Sequence, residues 1–393
     1  GGAVSAGGNS DGNGFGDFKY TVPTDAKAIC SANLPISSDI DPAGDDGATD
    51  NPTTHFGVVT YTGNGTARTI SGLGFQPDLI WAKRRTATTI RHYLVDSSRG
   101  FTKYLHSDGT FTQGTSSDGV TSANSDGFVI GGDLSYVNTN TDTYVAWCWK
   151  ANGGTTSTNT SGTATSTVQA NTKAGFSICL TDNYTAGTGV TIGHGLTTAP
   201  HFYLHKTTGD NSSGGASQNF TWHVYHKSLG ATKAMFLDTN AGASTAIGYW
   251  NNTEPTSSVL SLGNLIAGNG QSVVYAWSEI EGYSKFGQYD ANGSADGPFI
   301  YTGFRPKLVW IKMTVSGDHW GVWDTARGTE NPIDNILTWS TENAESSNDY
   351  YRVDFLSNGF KLRDGNAQIN HASYDPYIWG AWADVPFKYA NAF

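Results

Sequence analysis

No glutamate appears before Glu254, and nowhere does the chain carry the Glu/Lys/Arg/Leu faces of long amphipathic helices. Helix should therefore be scarce. Charge is thin as well: only 15% of the 393 residues are Asp, Glu, Lys or Arg, the net charge is −11, and the cations are scattered. A phosphate backbone is bound through clustered cations, so nucleic acid is excluded as a partner. No apolar run approaches the roughly 18 residues of a membrane-spanning helix, which excludes membrane insertion by that route. Three cysteines, Cys30, Cys148 and Cys179, are too few for a disulfide framework and lack metal-ligand spacing. Two of them sit in apolar strand-like runs, as small buried hydrophobes do. The start, Gly1-Gly2-Ala3-Val4, is neither a signal peptide nor an initiator Met, so the chain reads as processed or as a piece of a longer one.

What the chain has in quantity is glycine and aromatics: 49 Gly beside 12 Trp, 19 Tyr and 18 Phe. This much aromatic surface argues against disorder, and with Gly/Asn/Asp turns it suits many short strands. Three blocks then recur in order. The first reads Gly74-Phe-Gln-Pro-Asp-Leu-Ile-Trp-Ala-Lys83, then Thr198-Ala-Pro-His-Phe-Tyr-Leu-His-Lys206, then Gly303-Phe-Arg-Pro-Lys-Leu-Val-Trp-Ile-Lys312. The second is His92-Tyr-Leu-Val-Asp-Ser-Ser-Arg-Gly100, Trp222-His-Val-Tyr-His-Lys-Ser-Leu-Gly230 and Trp320-Gly-Val-Trp-Asp-Thr-Ala-Arg-Gly328. The third is Tyr144-Val-Ala-Trp147, Val274-Tyr-Ala-Trp277 and Trp379-Gly-Ala-Trp382, lying 64, 71 and 70 residues after the lysine of its copy. Constant order with near-constant internal spacing marks a duplicated unit. Copies one and three also share Ser125-Asp-Gly-Phe128 and Ser357-Asn-Gly-Phe360, whose Asp-Gly and Asn-Gly steps predict tight hairpins with positive φ.

The predicted fold is all-β: three tandem β-sandwich or jelly-roll-like modules of about 100 residues with little helix. Residues 1–54 form a Gly/Asp-rich leader, and Phe18-Lys19-Tyr20 echoes Phe387-Lys388-Tyr389 as if the leader ended a preceding module. Module one occupies 55–150 with a Gly/Ser/Thr stretch at 151–174, read as a linker or a weak hairpin around Ser166–Gln169. Module two covers 175–286 and module three 287–393.

Candidate chemistry is sparse. Asp96/Arg99 and Asp324/Arg327 recur as Asp-x-x-Arg-Gly, and module two replaces both members together with His226 and Leu229. Joint loss suits an ion pair bracing a turn better than an active-site pair. Glu279 and Glu281 would share one face of a strand, as a glycosidase pair could, yet neither other copy has them. The acidic stretch Asp39–Asp46 could wrap Ca²⁺ but lacks EF-hand spacing and reads as a solvated loop. His201, His205, His223 and His226 fall in module two at positions filled by other residue types elsewhere, so no metal is assigned. No nucleophile elbow, phosphate loop or dinucleotide fingerprint occurs, and no cofactor is expected. The best candidate for ligand contact is Tyr249-Trp250-Asn251-Asn252, an aromatic pair among loop-forming residues where module two departs from its siblings, with a buried Trp closing the sandwich as the alternative.

The three blocks, the leader Gly14-Phe-Gly-Asp-Phe-Lys-Tyr-Thr-Val-Pro23 and the end Val385-Pro-Phe-Lys-Tyr-Ala-Asn-Ala392 resemble the repetitive C-terminal region of tail-fibre-like virion proteins of tailed bacteriophages. That region often follows a SPRY or concanavalin-like domain. The resemblance spans nearly the whole chain from Gly14. It implies a non-enzymatic virion structural protein, a tail-fibre or receptor-binding component that assembles with other virion proteins and touches a host surface receptor or glycan. It also implies a homotrimer located in the virion. The alternatives are a polysaccharide-degrading tail enzyme and a purely architectural capsid or tail decoration protein.

Overall fold

The computed structural model describes residues 7–28 except 13, 15, 17 and 25, and residues 52–384 except 88, 182–188, 209–220, 267–269, 316, 348 and 349. The chain divides into two compact units, Gly1–Asp41 and Pro42–Phe393. In the first, Asn9 and Phe18 form an antiparallel bridge, and Asp11 accepts a hydrogen bond from the Ala28 amide at 2.8 Å. The echo at Phe387–Tyr389 and the acidic stretch Asp39–Asp46 lie outside the described residues.

The second unit is all-β and holds the three copies. Module one pairs a six-stranded sheet with a three-stranded one. The large sheet runs Phe56–Thr62, Thr143–Trp149, Leu79–Arg84, Tyr93–Asp96, Lys103–Leu105, Gly114–Thr115. The small one runs Arg68–Ser71, Gly127–Ile130, Val120–Asn124. Module three repeats this with Ser284–Tyr289, Tyr377–Ala383, Pro306–Met313, Gly321–Asp324, Asn335–Thr338, Ser346–Ser347 opposite Phe299–Tyr301, Gly359–Leu362, Val353–Leu356. Module two keeps the six-strand plan from Phe176–Thr181 through Ser272–Trp277, Phe202–Thr207, His223–His226 and Lys233–Phe236 to Ser244–Thr245. Among the described residues it opposes them with Val190–Gly193 and Val259–Leu262 alone. Helix among the described residues is limited to the single turns Pro52–Thr54 and Ile247–Trp250.

Two expected boundaries shift. The stretch 151–174 is no free linker: Ser157–Asn159 and Ser166–Asn171 form a hairpin that extends the large sheet of module two through pairing with Phe176–Thr181. Its first residues are fastened to module one, since Asp78 accepts bonds from the amides of Ala151, Gly153 and Gly154 at 2.7–2.9 Å. Ser284–Tyr289 pairs with Tyr377–Ala383, so Ser284, Lys285 and Phe286 belong to module three. The Asp-Gly and Asn-Gly turns also differ from expectation. Asn124 pairs with Gly127 and Leu356 with Gly359, so the loops are Ser125-Asp126 and Ser357-Asn358, without positive φ. Glycine is needed there for proximity: a Cβ would lie 1.9 Å from the Ile70 carbonyl oxygen at Gly127 and 2.1 Å from that of Ile300 at Gly359.

Each large sheet is covered on both faces. One face joins its own small sheet; in module one Ile80, Tyr93, Val95, Ala146 and Cys148 pack with Ile70, Val120, Phe128 and Ile130. The opposite face, carrying Trp81, Val145, Trp147 and Trp149, enters a second core shared by all three modules. At its centre Trp149, Trp277 and Trp382 form a triangle with ring centroids 5.3–5.8 Å apart, each pair edge-on at 65–71°. These three are equivalent by register, since Leu79, Phe202 and Leu308 face them across the same strand pair. The third block therefore slips by two in module one. Trp149, not Trp147, is the counterpart of Trp277 and Trp382, and Trp147 matches Tyr275 and Gly380. The second unit is three sandwiches closed around one aromatic axis.

Candidate functional site

With that register, the contacts between modules fall into three equivalent seams. The first residue of the second block reaches across each time. Trp222 donates through Nε1 to the His106 carbonyl at 2.8 Å, and Trp320 to the Phe236 carbonyl at 2.8 Å. His92 Nε2 lies 3.0 Å from the Thr338 carbonyl. Because His92 Nδ1 accepts from Trp81 Nε1, its Nε2 carries the proton and donates. Burial also lowers the His92 pKa, which favours this neutral form. A backbone bond repeats with the same cyclic order: Gln113 to Thr208 at 3.1 Å, Ala243 to Thr314 at 2.7 Å, and Glu345 to Arg85 at 2.9 Å.

The Asp-x-x-Arg pairs sit in these seams. Arg99 Nε is 2.6 Å from Asp96 Oδ2, Arg327 Nε is 2.6 Å from Asp324 Oδ2, and all four side chains are buried. Each aspartate also accepts a bond from the neighbouring module, from Tyr275 Oη at 2.7 Å to Asp96 and from Trp147 Nε1 at 2.9 Å to Asp324. A local brace thus extends into an inter-module clasp. Gly380, the counterpart of Trp147 and Tyr275, has no side chain to offer an aspartate. Its seam instead sets His226 Nε2 3.3 Å from the Trp379 carbonyl and packs Leu229 and Ala243 against the shared core. Module two thus lacks both Asp and Arg at the seam where the facing position is Gly380.

The seams differ at one further point. Between modules three and one, Glu345 binds Arg85 through two bonds of 2.7 and 3.0 Å and Arg327 at 3.1 Å. Between modules one and two, the equivalent positions are Gln113 and Thr208. There a cleft of about 390 Å³ opens, walled by Arg99, Lys103, Gln113, Thr165, Thr167 and Thr208 among others. Gln113 Oε1 accepts from Arg99 Nη1 at 2.9 Å. Among the described residues no carboxylate, histidine, cysteine or aromatic ring lines this cleft.

The other candidates are dispersed. Trp250 is fully buried and Tyr249 nearly so, both in the core of module two, with Trp250 Nε1 donating to the Lys233 carbonyl and Tyr249 Oη to Ser244. Neither ring can stack on a ligand, which corrects the expectation for Tyr249-Trp250. Asn251 and Asn252 follow in left-handed turn geometry (φ 52° and 50°), as the helix stop. Glu279 and Glu281 lie in a turn, not a strand; Glu279 is tied to Lys227 at 2.6 Å and to the Phe286 amide, while Glu281 is exposed. The four histidines split between the seam (His226), an interior cross-strand pair (His205 opposite His223) and a site beside Glu279 (His201). Among the described residues no group of His, Cys, Asp and Glu could hold a metal ion. Cys148 and Cys179 are buried free thiols, the latter pushed up to about 12 by burial. Sequence reading missed Tyr275, Gln113, Glu345, Arg85 and Thr208, which comparison of the copies in the correct register would have exposed.

The class is thus a single-chain, pseudo-threefold assembly of β-sandwiches with a shared aromatic core. The chain belongs to the family described as domain of unknown function DUF7483, matched over residues 51–386. The family unit takes in all three modules together, in agreement with their common core. No curated protein matches the chain.

Proposed function

We propose that this chain is a non-enzymatic structural protein of a bacteriophage virion, a tail-fibre or receptor-binding component that meets the host surface. The observation that carries the reading is closure of three sandwiches around the Trp149–Trp277–Trp382 triangle, which makes a rigid scaffold with threefold character in one chain. Such a body suits docking to a threefold fibre and presentation of several loop-borne contacts at once, where linked weak contacts gain by effective concentration. Buried groups such as Lys83, Asp108 and His205 have protonation shifted mainly by desolvation in cores and seams, not in an open cleft. Among its described residues the inter-module cleft offers donors and an exposed lysine but no side chain suited to proton transfer near neutral pH, which supports binding over hydrolysis.

The test is immunogold labelling of intact particles with antibody to the purified chain, paired with competition of host-cell adsorption by that chain. Gold at the tail tip with blocked adsorption is expected. Gold on the capsid without competition would favour the decoration role. Release of reducing sugar from host polysaccharide, abolished by Glu279→Gln, would overturn the non-enzymatic reading.

A further inference from the structure

We propose that the cleft between modules one and two binds an acidic saccharide, one that presents a sugar carboxylate among its hydroxyls. This deepens the receptor-binding reading and rests on it for biological sense. The cleft lies where the seam between modules one and two lacks the ion pair that fills the seam between modules three and one. Between modules three and one, Arg85 and Glu345 occupy the corresponding positions as a bidentate ion pair. Between modules one and two, Thr208 replaces the arginine and Gln113 the glutamate, so both long charged side chains of that plug are gone. The far wall comes from Thr165–Thr167, in the hairpin that, among the described residues, extends module two alone.

The lining chemistry selects the ligand class. Lys103 supplies an exposed cation, while the Arg99 charge is paired with the buried Asp96 carboxylate. Gln113 spends its oxygen on Arg99, leaving its NH₂ group as a donor. The threonine hydroxyls can donate or accept. Donors and one exposed positive charge, with no carboxylate among the described lining residues, favour an anion that also carries hydroxyls. Neutral sugars are commonly held on aromatic faces, and among the described residues no aromatic side chain lines this cleft. Its volume of about 390 Å³ falls within the roughly 300–1,000 Å³ of small-molecule sites.

The experiment is isothermal titration of the full chain with trigalacturonate, against a neutral galactose trisaccharide and inorganic phosphate. Trigalacturonate should bind, weaken with salt, and bind about tenfold more weakly to Lys103→Gln. The pair Gln113→Glu with Thr208→Arg, which rebuilds the plug of the other seam, should abolish binding while the melting temperature is kept. Should that variant fail to fold, Lys103→Gln still decides, because it alters an exposed side chain. The proposal is overturned by absence of trigalacturonate binding, by equal binding of the neutral trisaccharide, or by phosphate binding as tightly, which would mark a plain anion site. Unchanged affinity in Lys103→Gln, or in a folded plug variant, would equally overturn it. Particle labelling fails or succeeds independently of this titration, so the two readings can fall separately.

Discussion

The lysine closing each first block is among the most constrained residues of the chain. Lys83, Lys206 and Lys312 occupy the same position in the three modules and are fully buried. Lys83 Nζ donates to the Ile90 and Arg84 carbonyls at 2.8 and 3.0 Å and reaches the Glu342 carbonyl of module three at 3.3 Å. Burial pulls Lys83 and Lys206 down to about 8 and Lys312 to about 7. The unfolded chain, with lysines near 10.5, therefore holds more protons than the native one between pH 8 and 10, and stability contributed by these groups rises with pH there. Below pH 7 the cost of burying the charged form is in full force. Buried tyrosines such as Tyr283 act oppositely above pH 10, because burial raises their pKa. The measurement is the unfolding free energy from pH 7 to 9.5 for the parent and for Lys312→Met. The parent should gain up to about 1.4 kcal/mol per pH unit relative to the variant. Parallel curves would sink the assignment.

At the scale of elements, the clasp couples strands of different modules, and its charged side chains are buried. Asp96→Ala leaves Arg99 buried without its carboxylate and should cost about 3–5 kcal/mol. The double change Asp96→His with Arg99→Leu copies what His226 and Leu229 do in the third seam and should cost clearly less. Denaturant midpoints of both variants check this; a double variant as unstable as the single would deny that the seams are interchangeable. The strand pattern and repeat were legible in the sequence because Pro-led apolar runs and Gly-rich turns recur at fixed intervals. The register of the third block was not. Val145-Ala-Trp-Cys-Trp149 offers two tryptophans on the same face, and a slip of two residues in a strand leaves every side chain on its original side. Periodicity cannot see such a slip; the facing residues Leu79, Phe202 and Leu308 can. The expectation for Tyr249-Trp250 failed for a related reason: a short apolar stretch between loops looks the same whether it plugs a sandwich or crosses its surface.

For the whole molecule, the decisive signal was present but read at too small a scale. Leu79-Ile-Trp-Ala-Lys83 and Tyr144–Trp149 are continuous buried runs without polar alternation. In an antiparallel sheet that pattern means both faces are covered, whereas a free-standing two-sheet sandwich leaves one face wet. Three copies of a doubly covered sheet call for a second core, and the tryptophan triangle is that core. Two consequences can be measured. Unfolding of the second unit should be a single calorimetric transition, and Trp277→Ala should lower it as one event by about 3–5 kcal/mol, although the substitution lies in module two alone. Three resolved transitions, or a loss confined to one of them, would mean that the modules stand separately. The second consequence concerns assembly. The aromatic faces that a trimer of single modules would bury are already buried within one chain, so the purified protein should run as a monomer in light scattering. A mass of three chains would overturn that expectation in favour of the homotrimer that the resemblance implies, and would place its contacts on outer surfaces of the modules, away from the axis.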